Sequence, residues 1–432
     1  MWSSWGRPYN IETPLKSFDL TRPITSQFLA IGNRRSYGDS CLITHGQGYD
    51  MLHHNHFLEF NPQTGLLKAQ AGILFSEILT LCVPKGWFLP VTPGTKWVTL
   101  GGAIANDIHG KNHHQVGTIG NFIPRFGLWR PDTGEITCSP TQETDLFRAT
   151  IGGLGLTGII TWAEIQLIPI QSAHLNVEWL QFSGIDAFLE LTKDSQNYPY
   201  TVAWLDCSHK TKGNATARGV FIRGTHAVET QNIASLRLIP HTEKSKTIPL
   251  DMPSQLLNPL TVSLFNTLYY HKQITAKKQL LQHYDPFFYP LDHLNNWNKL
   301  YGKNGFYQYQ CVIPFKDGKK HLQEMLNLIA NSGFASSLSV LKTFGSIPSP
   351  GLLSFPQEGI TLCLDFANRG DKTHTLFIQL DAIVLAAKGR LYPAKDATMS
   401  PETFKTCYPN WKEFSRYKHP QITSDFWERV TQ

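Results

Sequence analysis

Apolar and polar positions along the chain change period from segment to segment, and the changes outline the elements. Alternation at residues 66–71 predicts a strand, three-and-four spacing over residues 73–83 predicts a helix, and residues 87–91 return to strand character. The PDTGE run at residues 131–135 reads as a turn between two strands. Thr141 is expected to cap a helix running to Ala149, and the glycine-rich turn beyond it enters a strand within residues 152–170.

Beyond about residue 172 the segments lengthen and glycines thin out, which marks a second domain. Leu322, Met325, Leu326 and Ile329 fall on one face of a helix that stops at Asn331-Ser332-Gly333. Leu376, Leu380, Ile383, Val384 and Ala387 mark another, closed by Lys388-Gly389. Three strands carry an informative alternation. In YQYQCVIP, Gln308 and Gln310 share a face; in SLSVLKTFG, Lys342 shares its face with Leu338, Val340 and Phe344; in ITLCLDF, Thr361, Cys363 and Asp365 oppose Ile360, Leu362, Leu364 and Phe366. A lysine on an apolar face must find an anion, reach solvent or lose its charge. Either Lys342 lies at a sheet edge, or Gln308, Gln310, Lys342 and Cys363 line a pocket on one sheet face; alternation does not choose. The apolar segment QLLNPLTVSLFNTLYYHK, residues 255–272, leaves a similar choice between a buried helix and a flap facing lipid, since aromatics followed by cations suit a membrane interface. Ser400-Pro401 starts a helix, so residues 392–395 end a strand just before a short loop, where Lys395 is either functional or a plain surface lysine.

Composition narrows the picture. At 432 residues the chain exceeds one ordinary core. Lys and Arg number 39 against 33 for Asp and Glu, a net +6 with the basic residues scattered, so the chain is not a dedicated nucleic-acid binder. Its seven cysteines are widely spaced without a CxxC pair, the pattern of reduced thiols in a cytoplasmic protein. The amino terminus shows no signal peptide and no run of 18 apolar residues occurs, so any membrane contact is expected to be peripheral. His53, His54 and His56 lack partners at ligand spacing and read as a solvated loop, so no metal is expected.

The chemistry points to glycine-rich turns. One runs from Pro93 to Gly120, another from Ile31 to Ser40, and a third precedes Ile159; each leads into or out of a strand. Backbone N–H groups freed by such turns can cradle a pyrophosphate, so one nucleotide site assembled from several loops is expected. The GxGxxG spacing of a dinucleotide fold is absent.

Taken together, RRSYGD, PGT, VTLGGAIANDIHGKNHH, GLTGII, QYQCVIP, CLDF and LYPAKD resemble the FAD-linked oxidoreductases of the vanillyl-alcohol oxidase type, with a PCMH-type FAD-binding domain. HGKNHH and LYPAKD are most similar to the branch that oxidises a polyprenylphosphoryl-ribose. The likeness runs from about Ile31 to the carboxyl end. It implies an α+β fold: an FAD-binding domain at residues 1–171, an inserted antiparallel-sheet substrate domain at 172–389, and a segment at 390–432 that returns to the FAD domain. The resemblance assigns FAD, held non-covalently, to Ala30, Ile31, Gly32, Asn33, Arg34, Arg35, Ser36, Tyr37, Gly38, Asp39 and Ser40, then Gly94, Thr99, Leu100, Gly101, Gly102, Asn106, His109, Gly158, Ile159, Tyr392 and Lys395. Lys111, Trp204, Phe288, Gln308, Gln310, Lys342 and Cys363 would face the substrate, and Lys395, Lys111, His109 and Tyr37 would be catalytic. Asn106, Phe288 and Thr361 depart from the family's pattern.

The implied reaction is oxidation of the ribose 2'-hydroxyl to a 2'-keto sugar, which a separate NAD(P)H-dependent short-chain reductase would convert to the arabinose epimer. Lys395 would either stabilise negative charge on the reduced flavin or accept the proton. Two other readings stay open: oxidation of a soluble sugar, polyol or aldonolactone, and a basic binding protein without redox chemistry.

Overall fold

The computed structural model describes residues 1–19, 22–211, 214–215, 217–228, 245–253 and 256–432. The fold is α+β, built on two antiparallel sheets. A five-stranded sheet in the first half runs Phe57–Asn61, Leu66–Gln70, Ile159–Gln166, Phe126–Arg130, Gly134–Cys138. Its buried positions, among them Leu67, Ala69, Phe126 and Ile165, pack in one cluster with the helix Phe75–Cys82, which buries Phe75, Ile78, Leu79 and Cys82. That spacing gives one helical face, so the periodicity at residues 73–83 becomes a helix as expected.

The second sheet has eight strands in the order Lys277–His283, His174–Ser183, Arg218–His226, Tyr200–Asp206, Ser339–Phe344, Gly359–Ala367, Phe306–Ile313, Arg390–Leu391. The helices Gly318–Asn331 and Asp371–Ala386 cover one face, sharing a core with Tyr307, Tyr309 and Cys311. The other face turns toward the glycine-rich loops. Lys342 is not at an edge: its strand pairs with Tyr200–Asp206 on one side and Gly359–Ala367 on the other.

The last strand, Arg390–Leu391, pairs with Phe306–Ile313, after which the chain crosses to the amino-terminal half. Phe28 N–H donates to Gln421 O, and Arg429 forks onto both Asp39 oxygens at 2.8 and 2.9 Å while also reaching Asp396 at 2.9 Å. Opposite ends of the chain are thereby pinned side by side.

Two local expectations are corrected. Thr141 does not cap the helix Thr144–Thr150: the N-cap position falls to Glu143, in the left-handed region at φ 51° and without a side-chain cap bond, while Thr141 sits in the preceding turn, where Ser139 Oγ accepts from the backbone N–H groups of Thr141 and Gln142. The helix Asp371–Ala386 is closed by Lys388-Gly389 as expected: Lys388 takes the left-handed turn at φ 55°, and a Cβ on Gly389 would stand 2.3 Å from Val312 O, so glycine is needed there for close approach. The apolar helix is not buried. Pro259–His271, capped by the Asn258 side chain, leaves Leu260, Leu264, Phe265 and Leu268 exposed and buries Val262 and Asn266. Asn266 sets this orientation, since its amide donates to Asp206 Oδ1 at 3.1 Å and Ser336 O at 3.2 Å. Gln255, where that segment begins, lies outside the described residues. Among the described residues no helix is long and apolar enough to cross a membrane.

Candidate active site

A cavity of about 690 Å³ is lined by the glycine-rich loops and by strands of the eight-stranded sheet, within the range of roughly 300–1,000 Å³ usual for small-molecule and cofactor sites. The first loop leaves the strand Phe28–Ile31 and turns at Arg34, whose φ is 51°. Among the described residues none accepts a hydrogen bond from the backbone N–H of Asn33, Arg34, Arg35 or Ser36, whereas Tyr37 N–H donates to Ala394 O at 2.9 Å. Successive amides turned by a left-handed residue make an anion cradle.

The second glycine stretch behaves differently from the sequence expectation. At the start of the helix Leu100–Ala105 the N–H groups of Leu100, Gly101 and Gly102 donate to Ile73 O, Ala71 O and Thr99 Oγ1. These glycines give close approach rather than free amides: a Cβ on Gly101 would stand 2.9 Å from Ala71 Cβ. Gly94 faces open space, with nothing within 4 Å of an added Cβ.

Three buried polar atoms on the cavity residues, Arg35 Nε, Ser40 Oγ and Asn106 Oδ1, have no partner among the described residues. Buried polar atoms of native proteins are normally satisfied. An FAD, with pyrophosphate, ribityl hydroxyls and ring amide groups, matches the free amides and these three atoms, so the residues present fit the cofactor.

The other end of the cavity is cationic. Lys111, Lys342 and Lys395 all face it. Burial pushes Lys111 and Lys395 down to about 8, the latter against the pull of Cys363 and Asp365. Burial first and Lys111 second push Lys342 down to about 7. The Lys395 ammonium lies 3.7 Å over the Tyr37 ring. Lys342 Nζ is 2.8 Å from His109 Nδ1 and donates to Gly110 O at 3.2 Å, and His109 Nε2 is 3.0 Å from the Gln310 amide. Burial, then Lys342, hold the His109 ring well below its ordinary pKa, so it stays neutral. With the Gln310 NH2 facing it, Nε2 accepts, Nδ1 carries the proton and Lys342 accepts from it as a neutral amine; a charged Lys342 donates to Nδ1 only in the other tautomer, with the Gln310 amide turned end for end to accept from Nε2–H. Lysine charge and histidine tautomer are therefore linked.

Of the expected residues, Ala30, Gly32, Asn33, Arg34, Arg35, Ser36, Tyr37, Ser40, Gly94, Thr99, Gly101, Gly102, Asn106, His109, Gly158, Tyr392 and Lys395 line the cavity, as do Lys111, Phe288, Gln308, Gln310, Lys342 and Cys363. Ile31, Leu100 and Ile159 are instead core side chains. Gly38 lies against the returning chain, where an added Cβ would stand 1.5 Å from Asp396 O, and Asp39 pairs with Arg429. Trp204 stands outside the cavity wall, its ring 4.6 Å from Tyr269. Phe288 packs against Tyr200 and Phe88, and the next residue, Tyr289, carries the hydroxyl in this region, bonded to Thr92 Oγ1 at 2.7 Å. Sequence reading missed Trp5, whose ring lies 4.1 Å from the Arg35 guanidinium, and Leu291, Asp292, Asn295, Asn296 and Trp297, which complete the wall. None has a periodic signature. His54 and His56 bond Phe18 O and Gln70 Oε1, and no group of three or more metal-ligating side chains stands together among the described residues.

Residues 25–139 match the family model for an FAD binding domain. The chain is 35% identical over 397 residues to the decaprenylphosphoryl-β-D-ribose oxidase of Mycolicibacterium smegmatis, covering 90% of this chain and 85% of that protein. Shorter likenesses link it to the Δ(24)-sterol reductase of Mus musculus, 26% identical over 32% of this chain and 27% of the reductase, and to cytokinin dehydrogenase 8 of Oryza sativa, 35% identical over 29% of this chain and 23% of the dehydrogenase.

Proposed function

The chain belongs to the family of FAD-dependent oxidoreductases that includes decaprenylphosphoryl-β-D-ribose oxidase, and from that membership we propose that it oxidises the ribose 2'-hydroxyl of a polyprenylphosphoryl-β-D-ribose to the 2'-keto sugar. The observation that carries this reading is the set of three half-buried lysines, Lys111, Lys342 and Lys395, lining the cavity together with His109, in a wall that also holds Leu291, Leu338 and Val340. An anionic phosphodiester with an apolar substituent suits that wall; a neutral sugar leaves half-buried cations without a counter-charge.

When bound, FAD supplies the acceptor for the hydride that leaves the 2'-carbon. Lys395, with a pKa of about 8, keeps its charge at neutral pH and holds a positive centre beside the negative charge that develops. The hydroxyl proton needs a base, and Lys342, pushed down to about 7 and joined to His109 at 2.8 Å, is placed to take it with the imidazole as its hydrogen-bonded partner. Gln310 follows the change by presenting its carbonyl or its NH2 to the ring. Lys111 is then left to the phosphodiester.

FAD is held without a covalent bond, because Arg35 occupies the turn position from which related flavoproteins tether the ring through histidine. Acid precipitation is expected to release the yellow colour into the supernatant; colour retained in the pellet contradicts this. The keto sugar passes to a separate NAD(P)H-dependent short-chain reductase, which completes epimerisation to the arabinose lipid, and a lipid substrate puts the enzyme peripherally at the cytoplasmic face of the inner membrane.

Anaerobic flavin bleaching tests the substrate. Farnesyl-phosphoryl-β-D-ribose is expected to bleach the flavin efficiently, and free ribose, ribitol or an aldonolactone poorly. The reverse order assigns the enzyme to soluble sugars.

A further inference from the structure

We propose that the polyprenyl tail leaves the cavity between Val340 and Trp204 and runs onto the outer face of the helix Pro259–His271 by way of Tyr269 and Phe265. The proposal rests on the reading that the substrate carries such a tail, and it adds the place where the tail binds.

The path starts on one strand. Lys342, Val340 and Leu338 all line the cavity, so the wall changes from cationic to apolar over two residues, about 7 Å of strand. Val340 stands directly opposite Trp204 in the antiparallel pair, which makes the two side chains neighbours on the same sheet face. The Trp204 indole N–H donates to Ser337 O at 3.2 Å, which fixes the ring just beyond the cavity wall. The ring then meets Tyr269 at 4.6 Å, and Tyr269 stacks on Phe265 at 6.1 Å and 25°. Phe265 is 49% exposed, and its helix neighbours Leu264 and Leu268 are 62% and 63% exposed. An unbroken series of apolar and aromatic side chains thus connects the interior to the surface.

The helix is held in this orientation, since Asn266 is fully buried and bonded on the side facing the sheet. Polar side in and apolar side out is the reverse of an ordinary surface helix, and large exposed apolar patches mark binding surfaces. The order along the path, cation then apolar strand then three aromatic rings flanked by leucines, is the order of phosphodiester then isoprene units in the substrate. A bilayer can touch Leu264 and Leu268, but it cannot reach Val340 in the cavity wall. A single chain can touch both.

The test uses the FAD-loaded enzyme in free solution, with farnesyl-phosphoryl-β-D-ribose and methyl-phosphoryl-β-D-ribose as paired substrates. The exposed substitutions Phe265→Gln and Leu268→Gln are combined, with the flavin spectrum and melting temperature as controls for folding. The double variant is expected to raise KM for the farnesyl substrate about tenfold or more while leaving kcat and all constants for the methyl substrate unchanged. Equal effects on both substrates, or none on either, overturn the path. So does a variant that keeps its farnesyl preference in solution and loses only its binding to anionic phospholipid vesicles, because the helix is then a membrane foot. A wild-type enzyme that does not prefer the farnesyl substrate at all is recognisably different: it overturns the substrate reading, and the path falls with it.

Discussion

The strand Phe306–Ile313 is buried at every position, yet its two faces do opposite things. Toward the helices it presents Tyr307, Tyr309 and Cys311, which pack with Leu322, Leu326, Phe377 and Leu380 into a continuous core. Its polar contacts there join Tyr307 Oη to His374 Nε2 at 3.4 Å and Tyr309 Oη to Asp381 Oδ1 at 2.9 Å, the latter pairing a phenol with a carboxyl that burial pushes up to about 7. Toward the cavity it presents Gln308 and Gln310, amid Lys342, Lys395, His109 and a second buried carboxyl, Asp365, which burial also pushes up to about 7. Both faces are buried. The core face is satisfied within itself, whereas the cavity face keeps cations and leaves Asp365 Oδ2 without a partner among the described residues. Such a face costs stability and is expected where chemistry requires it.

If that contrast is right, one substitution on each face separates rate from stability. Lys395→Ala is expected to slow flavin reduction by about a hundred- to thousandfold, roughly 3–4 kcal/mol of barrier, while FAD and fold are retained. Stopped-flow reduction of the holoenzyme measures it, and near-normal speed makes Lys395 a bystander. On the other face, Leu326→Ala removes a fully buried side chain and is expected to cost about 2–5 kcal/mol of folding stability. Its reduction rate, normalised to bound flavin, should match the wild type. A rate loss there would mean that the two faces are coupled through the strand.

Alternation alone makes the contrast legible in the sequence, because a period of two assigns faces. It groups Gln308, Gln310, Lys342 and Cys363, and all four line one cavity. Whether Lys342 sits at an edge depends on strand order, which arises from pairing between segments far apart in sequence and leaves no local trace. The orientation of Pro259–His271 is illegible for a related reason: its apolar residues are numerous enough for a buried helix, and the bonds from Asn266 to Asp206 and Ser336 that turn them outward span 60 and 70 residues. Glycines reveal the loops but not which of them keep free amides. In Leu100–Ala105 the N–H groups are consumed by Ala71, Ile73 and Thr99, a tertiary fact, while the free ones fall in Asn33–Ser36, where Arg34 rather than glycine takes the left-handed turn. Trp5 and Trp297 reach the wall through chain crossings that no motif marks.

The smallest expected effect is the most specific to the cavity face, and it appears in stability against pH. Lys342 titrates at about 7, and Lys111 and Lys395 at about 8, in the folded chain, against 10.5 for an ordinary lysine. Above about pH 7 the unfolded chain therefore binds more protons at these positions than the folded chain does. Stability rises with pH wherever the unfolded state binds more protons, so the destabilisation caused by the three half-buried ammonium groups is fully present below pH 7 and is relieved as pH climbs. Other groups confuse the picture outside a narrow window. Asp365 and Asp381 are pushed up to about 7 and make stability fall between their ordinary pKa of 3.8 and 7, while His113 and His226, lowered to about 3 and 4, make it rise over part of that range. Above the ordinary thiol pKa of 9, cysteines raised by burial, such as Cys311 and Cys363, reverse the trend. Between pH 7 and 8.5 the lysines dominate, and the melting temperature of the holoenzyme is expected to rise. Lys342→Met, which keeps the length of the side chain and removes its charge, should melt higher than the wild type at pH 7 and show a shallower rise. A variant with the same slope as the wild type would mean that Lys342 stays charged throughout, and the tautomer link to His109 would lose its basis.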